Sequence, residues 1–184
     1  GQLAQLAFLV VPLLSMSVIA GERRNGTLPL FFAAGVPASR VVLGKYLAVL
    51  AWLLLWLVLT LAMPLVLAHA THLDWGKLAA ATLGTALMLA ALAALGVACS
   101  AFASHPAIAA AAALILALAL WSVNLGAQMA GINGGVINWL AMSTHLQPLL
   151  RGLVSSTDVV WFVLLIALAL ALATRRLGAD RERG

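Results

Sequence analysis

Three groups of residues have types and spacings that could do chemistry. His69 and His72 stand three apart, with Asp74 close behind. Imidazole and carboxylate at that spacing can ligate a metal ion. Two histidines and an acid at a membrane edge are more commonly plain interfacial polar residues, so no metal site is assigned. The second group is Gly21-Glu22-Arg23-Arg24-Asn25-Gly26-Thr27, in which two glycines five apart resemble a phosphate loop. Such a loop needs a lysine after the second glycine, on a turn from strand to helix. Here Thr27 takes that place and an apolar stretch precedes it. No GxGxxG is present either, and nucleotide binding by this chain is not expected. The third group is the scattered serines and histidines. No Gly-x-Ser-x-Gly occurs and no motif pairs a hydroxyl with a base. His105 and His145 are isolated in the sequence and receive no role. Met63, Met88, Met129 and Met142 are dispersed as packing residues are. Cys99, the single cysteine, excludes an internal disulfide framework and reads as a small buried thiol. No catalytic residue and no cofactor of its own are expected for this chain.

The elements that must position these groups follow from composition. The 184 residues are 65% hydrophobic and 8% charged, with a mean hydropathy of +1.13. A soluble domain is roughly 45–50% apolar and about 25% charged. No water-soluble fold of this length hides so much apolar surface, so the solvent is lipid. A spanning helix needs about 20 mainly apolar residues, whereas barrel strands are about 10 residues of alternating polarity. The stretches 78–102 and 107–125 are apolar on every face and rich in alanine and leucine, the strongest helix formers. The expected fold is an all-α, polytopic transmembrane bundle forming one domain over 1–184. Five spans are read, at 2–20, 46–68, 78–102, 107–126 and 159–174, the last of them short.

Lysine and arginine set the orientation. The loop 21–45 carries Arg23, Arg24, Arg40 and Lys45, and the tail carries Arg175, Arg176, Arg181 and Arg183. With five spans these lie on one side, and the opposite side holds only Lys77 and Arg151. By the positive-inside rule the loop and the C-terminal tail are cytoplasmic. The net charge of +5 therefore marks span ends, and no nucleic-acid partner is expected. No span interior holds an ionisable residue, which argues against proton-coupled transport. Gly96 and Ser100, four apart, offer a small-residue face for close helix packing, within one subunit or between two.

The outer segment 127–158 is too polar to span and too apolar to be free coil. Gly131, Gly134 and Gly135 loosen its start, and 136–154 mixes Ile137, Trp139, Leu146 and Leu149 with Asn138, His145, Gln147 and Arg151. Short helices lying at, or dipping into, the outer leaflet are expected, with Pro148 separating two of them. Ser155-Ser156-Thr157-Asp158 is expected to cap the last span.

These motifs bring a resemblance into view. Glu22-Arg23-Arg24-Asn25-Gly26-Thr27-Leu28, then Gly35-Val36-Pro37-Ala38-Ser39-Arg40, then Gly44-Lys45-Tyr46, resemble the permease subunits of ABC-2-type ABC transporters. The family's pattern is an acidic–basic turn, Gly-Thr-Leu, a short apolar helix, a proline turn, and Gly-Lys entering the next span. The last part, Leu150-Arg151-Gly152-Leu153 through Asp158-Val159-Val160 to Arg175-Arg176-Leu177, is similar to the branch containing gliding-motility and nitrous-oxide-reductase maturation permeases. The resemblance covers nearly the whole chain. It implies six spans, a dimer of permease halves and a separate cytoplasmic ATPase that binds ATP and magnesium. The family's first span and its preceding amphipathic helix have no counterpart in these residues. A cytoplasmic N-terminus in the intact protein would require one span before Gly1.

The resemblance also makes the segment 21–45 a coupling segment that docks into the ATPase. The residues assigned to docking are Glu22, Arg23, Arg24, Gly26, Thr27, Leu28, Phe31 and Phe32. Leu28, Leu30, Phe31 and Phe32 form an apolar stretch between charged ends, as a helix laid at an interface does. The expected function is the membrane-spanning subunit of an exporter in the cell's inner (plasma) membrane, with the substrate path between two permease copies. Two other classes fit the composition: a non-transporting membrane scaffold or assembly factor, and an ATP-independent exporter.

Overall fold

The computed structural model describes residues 10–11, 14–15, 17–27, 33–67, 74–129 and 135–183. In chain order the helices are α1 (Ala20–Arg24), α2 (Ala38–Leu67), α3 (Trp75–Phe102), α4 (Pro106–Met129), α5 (Gly135–Leu140), α6 (Met142–Leu150) and α7 (Ser156–Arg183). The described residues contain no strand, and the fold is the expected all-α bundle. Four helices, α2, α3, α4 and α7, are long and apolar enough to cross a membrane. The first expected span, 2–20, lies mostly outside the described residues.

Local chemistry sets the helix starts. Pro37 precedes α2, and its carbonyl accepts from the Arg40 and Val41 amides at 3.0 and 3.4 Å. Asp74 caps α3, its carboxylate accepting from the Lys77 amide at 3.2 Å. Pro106 occupies the first position of α4, where a missing N–H costs nothing. The helices run longer than the apolar stretches suggest. α2 begins at Ala38, so Arg40 and Lys45 lie on its first turns, and α7 continues past Arg175 and Arg176 to Arg183. At 1.5 Å per residue, α7 is about 42 Å long, more than the roughly 30 Å of hydrocarbon. The last span is therefore not short; helical hydrogen bonding carries on through the polar tail because nothing in Leu177–Arg183 breaks it.

α3 is the central pillar. Half of its apolar window is buried by other helices, against 28%, 17% and 28% for α2, α4 and α7. It packs on α7, α4, α2 and α6. Met88, Leu89, Ala91, Leu92, Ala93, Ala94 and Val97 are buried along it. The alanines let backbones approach, which is how helices gain contact where lipid removes the hydrophobic incentive to associate. The outward faces of the other spans stay apolar: Trp52, Leu59, Ile115 and Leu168 are each about three-fifths exposed or more. In water that surface would drive aggregation; against acyl chains it is a solvated face.

Two ends can be told apart. At one, α1 with Arg23, the α3–α4 turn and the end of α7 with Arg176 converge; this is the basic end. At the far end, α6 packs on α3, α4 and α7, and α5 packs on α4 and α6. Pro148 does not separate helices there. It lies inside α6, and the break falls at Ala141, between α5 and α6. One lost backbone bond in a nine-residue helix is offset by the burial of Leu146 and Leu149.

Candidate functional site

At the basic end, the motif 22–27 is a helix terminus. α1 ends at Arg24, and Gly26 adopts φ +69°. The Thr27 amide donates to the Glu22 carbonyl at 3.0 Å, and the Gly26 amide to the Arg23 carbonyl at 3.3 Å. Those two bonds are a Schellman cap, which requires a left-handed residue at Gly26. The glycine of the motif thus stops the helix and turns the chain. Carbonyls, not amides, point from this end of α1, which is the wrong polarity for a phosphate.

The charged side chains of the motif tie α1 to three other elements. Glu22 accepts from Lys45 of α2 at 2.5 Å. Arg23 donates to the Ala103 carbonyl in the α3–α4 turn at 2.8 Å and is paired with Asp180 of α7. Asp180 also lies 3.5 Å from Arg176, one turn back. Behind them the Ser100 hydroxyl accepts from the Ile19 and Ala20 amides at 3.0 and 2.9 Å, which satisfies two of the donors left free where α1 begins. Gly96, one turn along α3, faces Ser15: a β-carbon there would collide with the Ser15 hydroxyl. The Gly96–Ser100 face is therefore used inside this chain, to seat the segment before α1.

Of the residues expected to dock a partner, Glu22 and Arg23 are held within the chain, Thr27 completes the cap, and Arg24 and Gly26 are exposed. Leu28, Phe31 and Phe32 lie outside the described residues. So do His69 and His72; among the described residues no three His, Cys, Asp or Glu groups gather to hold a metal.

At the far end, sequence reasoning missed the best-formed polar site. His145 is not isolated. It is 5% exposed, and Asp158 is 8% exposed. Their Nδ1 and Oδ1 atoms are 2.7 Å apart. The other ring nitrogen, Nε2, is 2.9 Å from the Trp139 carbonyl oxygen. The imidazole stacks on Trp161, with centroids 4.8 Å apart and planes 22° apart, and Trp139 meets it edge-on at 6.3 Å. Asp158 is thus spent on His145, in the first turn of α7, where a carboxylate also suits the helix dipole. The signal available in the sequence was an acid in the turn that opens α7, thirteen residues after a histidine.

The same hairpin is seated on two more helices. A β-carbon on Gly84 of α3 would stand 2.7 Å from that of Leu149, and the Ser143 hydroxyl donates to the Trp121 carbonyl of α4 at 3.2 Å. Gly152, at φ +95°, turns the chain against Lys77. Gly84 lies nine residues into α3, about 14 Å along it, so α6 packs against α3 well past that helix's start.

Between α3, α4 and α7 runs an apolar groove of about 440 Å³, lined by residues such as Leu95, Cys99, Phe102, Ile108 and Leu168. It offers almost no hydrogen bonding and suits hydrocarbon alone.

The arrangement holds no catalytic constellation among the described residues. It is a set of membrane helices with a clamped basic end and a clasped far end. A search among curated proteins found no match, and neither did one among solved structures. The family model described as ABC-2 family transporter protein matches residues 3–174. The match covers nearly the whole chain, four of the described helices are long and apolar enough to cross a membrane, and this protein belongs to the ABC-2 transporter family as a membrane permease.

Proposed function

We propose that the chain is the membrane half of an exporter driven by a separate ATPase on the cytoplasmic side. In this reading the basic end is cytoplasmic, in keeping with the eight-to-two distribution of lysine and arginine. The segment 21–45 receives the ATPase, and ATP and magnesium are bound there and not here. Two permease copies enclose the substrate path, and the α5–α6 hairpin closes its outer mouth. The resemblance to the gliding-motility and nitrous-oxide-reductase maturation branch suggests a substrate destined for the cell exterior, and nothing in the spans selects its chemistry.

The observation that carries this reading is the clamp at Arg23. One side chain joins α1, the α3–α4 turn and α7, while Glu22 joins α2. A partner that pushes on this segment would therefore move several spans together. Exposed Arg24 and Arg40 and the apolar Leu28, Phe31 and Phe32 supply charge and grease for contact.

A photo-crosslinking residue at Phe32 of the intact protein tests the reading in native membranes. Capture of an ATP-binding subunit is the expected result. Capture of lipid alone, with the protein intact and abundant, overturns the docking assignment and favours a scaffold or an ATP-independent exporter.

A further inference from the structure

We propose that His145 and Asp158 form a proton-dependent clasp that keeps the α5–α6 hairpin closed over the spans. The inference rests on the reading above only for the statement that the hairpin faces the cell exterior. The clasp itself rests on geometry.

Three elements meet at one imidazole. His145 belongs to α6, its Nε2 faces the Trp139 carbonyl of α5, and its Nδ1 faces Asp158 of α7. Both neighbours are oxygen acceptors. A neutral imidazole has one N–H and one lone pair. Beside an ionised Asp158, either neutral tautomer leaves a lone pair against an oxygen, at 2.7 Å on one side or 2.9 Å on the other. The closed arrangement is satisfied only with one more proton, held between Nδ1 and Oδ1. It is immaterial which atom carries it. Both groups are buried, so water cannot replace the missing donor, and an unsatisfied buried contact costs more than a made one returns.

Few other charges bear on the pair. α3 contributes Asp74 at its cap and Lys77, which is exposed and packed against Gly152. Arg151 follows α6 and is exposed. Neither α4 nor α5 has a titratable residue, and α7 has none other than Asp158 before Arg175. The α2–α3 connection adds His69 and His72, outside the described residues. Proton loss from the pair releases the proton to water and leaves a net negative charge beside a carbonyl. The clasp then opens as the outer medium becomes alkaline and closes as it becomes acidic.

The test uses the full-length protein in native membranes with Cys99→Ala and one added cysteine. Leu146→Cys reports opening, since Leu146 is 1% exposed beneath the hairpin. Leu153→Cys, at a 66% exposed position, reports the intrinsic pH dependence of thiol labelling. The ratio of the two labelling rates with a membrane-impermeant maleimide is measured against outer pH. We expect the ratio to rise roughly 2- to 10-fold on going alkaline, the worth of about one hydrogen bond. His145→Gln should give a high ratio at every pH. Asp158→Asn should give a low ratio at every pH, because its amide N–H can donate to Nδ1 while a neutral Nε2–H donates to Trp139. A purely structural pair would not be closed by Asp158→Asn and opened by His145→Gln in this way. A flat ratio in the parent, or a pH-dependent ratio surviving in Asp158→Asn, overturns the proposal. Labelling of position 153 only from the cytoplasmic side overturns the orientation instead; the ratio, read with a permeant maleimide, still decides the clasp.

Discussion

Ser15 fills the space where a side chain on Gly96 would stand. A β-carbon at Gly96 would overlap the Ser15 hydroxyl and lie 2.6 Å from its Cβ. Ser15 itself donates to the Val11 carbonyl at 2.8 Å, so it has little freedom to step aside. Gly96→Ala should force the first segment off α3 and cost about 1–3 kcal/mol, as overpacking of a tight contact does. Thermal denaturation in mild detergent measures the loss. Combining it with Ser15→Gly should recover most of the loss, and a strictly additive double variant would show that the two positions do not share this contact.

Gly84 and Leu149 make the corresponding contact at the far end. Gly84→Ala should lift α6 from α3, again at about 1–3 kcal/mol, and expose Leu146. Cysteine labelling at position 146 checks it. Adding Leu149→Ala removes the Cδ1 atom, 3.4 Å from the new methyl, and so frees α6 to shift, but it keeps the colliding Cβ at 2.7 Å. The rescue should therefore be partial.

Arg23 is asked for two geometrically separate bonds, to the Ala103 carbonyl and to Asp180. A planar guanidinium forks to reach both; an ammonium is a single point. Arg23→Ala should lower stability by about 0.5–1 kcal/mol, since the pair is partly exposed and surface pairs contribute little. Transport should suffer more than stability. Arg23→Lys should retain stability better than transport. Equal losses in both assays would reduce the clamp to a fold-holding contact.

If Phe31 docks the ATPase as proposed, Phe31→Asp should abolish ATP-dependent transport while insertion and abundance stay unchanged, because an aspartate in an apolar contact removes contact area and adds a charge to desolvate. Vesicle transport together with co-purification of the ATPase reads the two effects. Normal transport by this variant would remove Phe31 from the docking surface.

The physical reason that some of this was legible is that it is local. Lipid as solvent, helices as the spanning form and the gathering of Arg23 and Arg176 at one end of the bundle all follow from composition and the run of the chain. Even the turn at Gly26 is local, since its cap closes between Glu22 and Thr27. Partner choice is not. Arg23 and Asp180 are 157 residues apart, and no periodicity connects them. His145 looked isolated because its partner lies across a turn on another helix. Gly96 and Ser100 advertised a close contact without saying with what, and Pro148 was read as a break because its cost is local while the burial of Leu146 and Leu149 that outweighs it is not. The sequence by itself determined the solvent and the long apolar helices; the tertiary structure alone decided which side chains meet, because in lipid those meetings depend on shape and hydrogen bonds between helices, not on hydrophobicity that every face already has.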